Sequence, residues 1–143
     1  MLPALPTWLV VALVVGFLGG ILWKGGREER ITILIYMGCY AATLALRDAH
    51  WPRLQLAGFL IDVVFFLFLL ALALRSRSYW PLAACGFQLL GVLTHIAKAL
   101  DSGVAQWAYI SAGIIWSYLV QIAIAVGAWN HWRAGRTPAL AVG

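Results

Sequence analysis

Five apolar runs divide this chain of 143 residues, and most of its tryptophans lie where a run begins or ends. Indole rings favour the headgroup region of a bilayer, where the apolar ring and its single N–H donor are both accommodated. Only Trp116 falls in the middle of a run. The pattern therefore predicts a small protein that crosses a membrane several times. The tryptophans at the ends of runs are Trp8, Trp23, Trp51, Trp80, Trp107, Trp129 and Trp132.

The composition agrees with a membrane protein. Hydrophobic residues make up 64% of the chain and charged residues only 10%, with a mean hydropathy of +0.90. A soluble domain of this length could not bury so much apolar surface, so lipid is expected to be the solvent. The net charge of +5 lies at the ends of the runs and in the connections. We expect it to contact membrane lipids and to set the orientation, with no nucleic acid as partner.

The runs predict an all-α fold, a single membrane-embedded bundle of five spans in one domain covering residues 1–143. A span takes about 20 apolar residues, with about 17 as the lower end, so the second run is short and the fifth must tilt or project. No proline interrupts a run. Residues 133–143 are expected to form a short tail. The predicted spans are Thr7–Trp23, Ile31–Leu46, Leu56–Leu74, Trp80–Leu100 and Ala105–Trp129.

The distribution of lysine and arginine predicts the orientation. With the N-terminus outside, seven of these residues fall on the cytoplasmic side and three on the outer side. An excess of positive charge on the cytoplasmic side is the general rule, so the chain is expected to be N-out and C-in, in a bacterial inner membrane. The cytoplasmic residues are Lys24, Arg27, Arg30, Arg75, Arg77, Arg133 and Arg136, and the outer ones are Arg47, Arg53 and Lys98.

This orientation gives every polar residue a depth. Straight helices that rise about 1.5 Å per residue place Tyr40, Asp62, His95 and Ser111 at one depth in the outer half of the bundle. We call these four residues, together with Gln88 and Lys98 of the fourth run, the predicted polar layer. Depth alone does not say which of them face one another.

The fourth run carries one polar face. Gln88, Gly91, His95 and Lys98 recur at spacings of three and four, and Cys85 extends the same stripe. We expect this face to point into the bundle and the opposite face to point to lipid. Small residues at similar spacings, such as Gly16 and Gly20, are expected to serve helix packing.

Asp62 is the least expected residue, because it stands directly before the uninterrupted apolar segment 63–70. An ionised aspartate in hydrocarbon costs about 2.5–3.5 kcal/mol on insertion scales, so it should face the bundle and pair. His95 and Lys98 are the donors at matching depth. The predicted contact is a hydrogen bond from Asp62 to one of them, directly or through one water.

Three functions are compatible with this pattern. The first is a non-catalytic integral subunit, assembly factor or accessory subunit of a larger inner-membrane complex, with membrane-protein partners or a homo-oligomer and no cofactor. The second is a small proton-coupled transporter or channel that uses Asp62 and His95, since both can change charge. The third is an electron-transfer protein that binds haem or quinone, with His95 and His50 as candidate axial ligands.

Sequence motifs of catalysis and metal binding are absent from the chain. It has no G-x-S-x-G, no H-E-x-x-H, no phosphate-binding loop and no paired Cys-x-x-Cys, so neither a catalytic site nor a metal site is predicted. The cysteines, Cys39 and Cys85, lie inside apolar runs and are expected to be free.

Overall fold

The computed structural model describes the backbone of residues 7–45, 51–101 and 103–135, and the side chains of 16–43, 45, 56–101 and 103–135. Within this part of the chain the protein is all-helical, which confirms the predicted class and the five helices. They are α1 (Thr7–Lys24), α2 (Arg27–Ala45), α3 (Trp51–Arg75), α4 (Trp80–Leu100) and α5 (Gln106–Ala134).

Among the described residues, three helices are long and apolar enough to cross a membrane. They comprise Leu56–Arg75 within α3, all of α4 and all of α5. The first turn of α2 carries two arginines and two glutamates, Arg27 to Arg30, so its apolar part is only residues 31–45. That part is shorter than the about 17 residues of a minimal span.

Local chemistry explains where the helices begin and end. Pro81 occupies the first turn of α4, where its missing N–H costs no hydrogen bond. Between α1 and α2 the chain turns at Gly25 and Gly26, and the guanidinium of Arg30 donates to the carbonyl oxygens of Gly25 at 2.9 Å and Trp23 at 3.2 Å. These bonds satisfy carbonyl groups that the end of a helix leaves without an intrahelical partner. The turn is therefore tightly held.

The helices form an antiparallel bundle in which α4 packs between α3 and α5, while α2 contacts α1, α3 and α5. The end of the bundle that holds the last turn of α1 is called the Lys24 end. It also holds the start of α2 and the end of α3. Ser76, directly after α3, donates from Oγ to Glu28 Oε2 in the first turn of α2. The opposite end, where α4 stops and α5 begins, is called the Leu100 end.

The apolar core fills the half of the bundle toward the Lys24 end. Leu69, Val120 and Ile124 have no exposed surface, and they pack with Phe65 and Ala84 across three helices. The polar residues of α4 lie in the other half. Consequently the bundle divides into an apolar half and a half that contains the candidate site.

Trp80 differs from its predicted position at a membrane surface. It is only 6% exposed and lies against Gly127 of α5, where an added Cβ would overlap the indole ring. Its Nε1 is the buried side-chain donor that lacks a partner among the described residues. Trp23 and Trp107, in contrast, are 84% and 74% exposed, as interfacial anchors would be. The close approach of α4 and α5 at Gly127 accounts for the difference.

The predicted polar face of α4 does point into the bundle. Cys85, Gln88 and Gly91 are buried, whereas Leu82 and Leu93 on the opposite side are exposed. Both cysteines are free.

The prediction for the small residues of α1 is not met within this chain. Gly16 and Gly20 are exposed, and a Cβ added to either would have no neighbouring atom within 4 Å. No other helix of the chain covers this face in the described part of the structure.

Candidate functional site

A hydrogen bond joins Asp62, in the middle of α3, to His95, in the last third of α4. His95 Nε2 lies 2.9 Å from Asp62 Oδ2, which confirms the predicted contact between these residues. The His95 side chain is 17% exposed and that of Asp62 is 36% exposed. Asp62 therefore faces the bundle and is also open to a cleft beside it.

The second carboxylate oxygen of Asp62 has a partner of its own. Gln88, two turns before His95 on the same face of α4, donates from Nε2 to Asp62 Oδ1 at 3.0 Å and to the Asp62 carbonyl oxygen at 3.3 Å. Two residues of α4 thus hold one carboxylate. Gln88 and His95 lie on the same face of α4 because the residues of its polar face recur at spacings of three and four. Both side chains can therefore reach Asp62.

The other ring nitrogen of His95 is bound from α5. The Tyr109 hydroxyl oxygen lies 2.9 Å from His95 Nδ1, and the two rings meet edge to face with centroids 5.4 Å apart. Phe59 of α3 approaches the histidine ring from another side, at 5.9 Å between centroids. The imidazole is consequently held by both nitrogens and by two aromatic rings.

The chemistry of the three groups fixes the direction of the hydrogen bonds. An ionised Asp62 only accepts, so His95 Nε2 must carry a hydrogen and donate it. In a neutral imidazole Nδ1 then accepts, and Tyr109 is the donor. Tyr109, His95 and Asp62 therefore form a line in which each hydroxyl or N–H points toward the carboxylate. We call these three residues the Tyr–His–Asp line.

Two clefts lie on either side of this line. The apolar cleft, of about 390 Å³, opens toward the Leu100 end and is walled by residues such as Leu56, Phe59 and Ile96. The polar cleft, of about 130 Å³, lies deeper between α4 and α5 and is lined by Asp62, Gln88 and Ser117, among others. His95 and Tyr109 line both clefts. The Tyr–His–Asp line thus separates the two spaces.

The remaining predicted site residues are placed differently. Lys98 donates from Nζ to the Val104 carbonyl oxygen at 2.5 Å, so this bond fixes the connection after α4. Tyr40 is 53% exposed and Ser111 is also exposed, and no hydrogen bond among the described side chains includes either of them. His50 lies outside the described residues. Of the predicted polar layer, Asp62, Gln88 and His95 are brought together.

Tyr109 is the functional candidate that sequence reasoning missed. Depth alone predicts Ser111 as the α5 residue of the site, but Tyr109, two residues earlier, lies on another face of the helix. The stripe of Gly113, Ser117 and Gln121 recurs every four residues, and one step back along it is Tyr109. The signal was therefore present as a periodicity.

Polar contacts continue from the site toward the Lys24 end. Trp116, the one mid-span tryptophan, donates from Nε1 to Thr94 Oγ1 at 3.1 Å. Gln121 donates from Nε2 to the Tyr36 hydroxyl at 2.9 Å, which ties α5 to α2. Polar atoms that would be costly in lipid thus find partners between helices.

The site thus contains a proton acceptor, Asp62, two groups that can relay protons, His95 and Tyr109, and access from two clefts.

Comparison of the chain with models of protein families, with curated proteins and with solved structures finds no match.

Proposed function

We propose that this is a small proton-coupled transporter or channel in which the Tyr–His–Asp line carries the proton. The observation that supports it is the unbroken series of hydrogen bonds from Tyr109 to Asp62, formed by residues that separate two clefts. Ionisable residues within membrane spans are uncommon, and relays of Asp, Glu and His are one of their established uses.

The proton balance of one transfer can be written from these atoms. A proton from the apolar cleft binds the Tyr109 oxygen, while Tyr109 passes its own hydrogen to His95 Nδ1. His95 then passes its Nε2 hydrogen to Asp62. The net change is one proton taken up by the carboxylate, and every hydrogen bond of the line survives with its direction reversed. Asp62, which lines the polar cleft, then releases the proton there. Before a second transfer, the hydrogen of His95 must return from Nδ1 to Nε2 and the Tyr109 hydroxyl must turn back toward the ring, which restores the starting hydrogen bonds.

Exchange is favourable in this site because both charge states of Asp62 have partners. When ionised, the carboxylate accepts from Gln88 and His95. When protonated, it donates to His95 Nε2 and still accepts from Gln88. An unpartnered polar group away from water costs about 1–3 kcal/mol, and neither state incurs this cost.

The test is proton flux into liposomes that contain the purified protein and an entrapped pH-sensitive dye, driven by a potassium diffusion potential. Asp62→Asn keeps the shape of the side chain but cannot ionise. We expect its flux to fall at least about ten-fold, within the range that general acid–base groups contribute. Asp101→Asn is the matched control, since Asp101 is exposed and its Oδ1 accepts only from the nearby Gly103 N–H in the described structure. Equal flux in the two variants would refute the proposal.

We further propose that α1 and α2 also cross the membrane, in the N-out, C-in orientation and in a bacterial inner membrane. The distribution of lysine and arginine supports this topology, because with the N-terminus outside seven of the ten fall on the cytoplasmic side. Reporter fusions after Arg30, after Arg77 and at the C-terminus should report cytoplasm. Fusions near Pro52 and Ser102 should report the outer side, and a cytoplasmic Pro52 would contradict the five-span topology.

A second candidate function is that of an accessory or assembly subunit, or of a homo-oligomer. The exposed glycines of α1 favour it, because small residues let another transmembrane helix approach closely. Gly20→Leu should then release a partner that copurifies in mild detergent. Gly86→Leu is the control, since Gly86 of α4 is also exposed with no atom near an added Cβ. A monodisperse monomer without partners would contradict this function.

The haem and quinone alternatives have less support. Both ring nitrogens of His95 already have partners, so ligation of iron would have to break one of the two hydrogen bonds. His50, the other candidate ligand, lies outside the described residues. A visible absorption spectrum of the purified protein tests for haem, and extraction with organic solvent tests for quinone.

A further inference from the structure

A third cleft lies at the Lys24 end, at the opposite end of the bundle from the Tyr–His–Asp line. Its volume is about 760 Å³, and it lies where the last turns of α1 and α5 meet the start of α2. Cationic and aromatic side chains dominate its wall. The lining residues are Trp23, Lys24, Gly25, Arg30, His131, Trp132 and Gly135.

Two indole rings hold the ammonium group of Lys24. Lys24 Nζ lies 4.3 Å from the centroid of Trp132 and 5.3 Å from that of Trp129, and the two rings are 5.0 Å apart. Such cation–π contacts fix the position of a charge without neutralising it. The cation is therefore kept at the wall of the cleft.

Arg30 is fixed in a comparable way. Its guanidinium donates to the carbonyl oxygens of Gly25 and Trp23, neutral groups that leave its positive charge uncompensated. Because a guanidinium has five N–H donors, these two bonds leave further donors for a ligand.

The acidic residues nearby do not form ion pairs with these cations. Among the described residues, no carboxylate lies within 4.0 Å of a side-chain nitrogen of Lys24, Arg30 or His131. Glu28 instead accepts from Ser76, and Glu29 is buried at 5% exposure. The cleft consequently holds two cations, Lys24 and Arg30, in fixed positions with no ion-pair partner among the described side chains.

We propose that this cleft binds the phosphate group of an anionic phospholipid, with Lys24 and Arg30 as its cationic partners. Basic pockets between transmembrane helices are suited to such headgroups. The tryptophans support a lipid as the source of the phosphate, since Trp23 is 84% exposed and indole rings favour the headgroup region. This binding is independent of proton transfer, because its residues lie at the other end of the bundle.

The experiment measures binding of phosphatidylglycerol to the purified full chain in detergent by native mass spectrometry, with phosphatidylcholine as the uncharged comparison. Phosphatidylglycerol should be retained in preference. Lys24→Gln should weaken its binding about five-fold, the amount that one cation near an anionic lipid contributes. Lys24→Arg should retain binding. Arg77→Gln is the matched control, because Arg77 is exposed at the same end but does not line the cleft.

Three outcomes would overturn the proposal. One is equal retention of the two lipids. Another is an equal loss in Lys24→Gln and Arg77→Gln, which would indicate general surface charge. The third is complete displacement of phosphatidylglycerol by millimolar inorganic phosphate, which would assign the cleft to a soluble anion. If circular dichroism shows that Lys24→Gln does not fold, the same test is made with Arg30→Gln and Arg75→Gln. Each of these variants loses one positive charge, but only Arg30 lines the cleft.

Discussion

Removal of one oxygen atom from Tyr109 tests the Tyr–His–Asp line directly. In Tyr109→Phe the ring that packs against His95 remains, while the hydrogen bond to His95 Nδ1 is lost. Tyr118→Phe removes the same atom from the same helix at a residue that is 60% exposed. The two variants therefore differ only in whether the hydroxyl has a partner in the bundle.

The expected effect on stability is modest. A hydrogen bond between neutral groups contributes about 0.5–1.5 kcal/mol net to stability. Side-chain hydrogen bonds between membrane helices contribute about 0.6 kcal/mol on average. Tyr109→Phe should lower the free energy of unfolding by about 1 kcal/mol, measured by titration with sodium dodecyl sulfate in mixed micelles. Tyr118→Phe should change it by less than about 0.5 kcal/mol, as is usual for exposed positions.

The expected effect on proton flux is much larger than that on stability. Without the hydroxyl, no side chain among the described residues can pass a proton to His95 Nδ1, so the liposome flux should fall about ten-fold or more. Tyr118→Phe should retain the flux of the native chain. If Tyr109→Phe lost stability but kept its flux, the hydroxyl would serve only to position His95, and the proposed path from the apolar cleft would be wrong.

Two further predictions concern packing. Gly127→Ala should be less stable than Gly86→Ala by about 1–3 kcal/mol, because both variants gain helix propensity but only the Cβ at position 127 overlaps the Trp80 ring. The difference is measured by the reaction of a thiol-specific dye with buried Cys85 during heating. Equal stability of the two variants would refute the close approach of α4 and α5. Gln121→Leu should lower the free energy of unfolding by about 1 kcal/mol, because it removes the donor to the Tyr36 hydroxyl. In the Tyr36→Phe background the same substitution should lower it by less. Additive losses in this double-mutant cycle would contradict the contact.

The fold class and the number of helices follow from the amino-acid sequence alone. Long apolar runs must form helices in lipid because every backbone N–H and C=O needs a partner within the segment. The sequence also predicts which side of α4 faces inward, since the spacing of Gln88, Gly91 and His95 follows the helical period. The need of Asp62 for a partner followed from the cost of an unpaired carboxylate in hydrocarbon, and depth narrowed the partners to His95 and Lys98.

Which side chains contact one another depends on how the helices pack. Depth along a helix does not fix the angle around it, so Ser111 and Tyr109 were equivalent by depth, yet only Tyr109 reaches His95. Likewise, a tryptophan at the end of an apolar run suits a membrane surface, but Trp80 is buried because Gly127 lets α4 and α5 approach closely there. Contacts of this kind depend on how far each helix is rotated and on how near its neighbour lies. These are properties of packing between helices, which no periodicity within one helix contains.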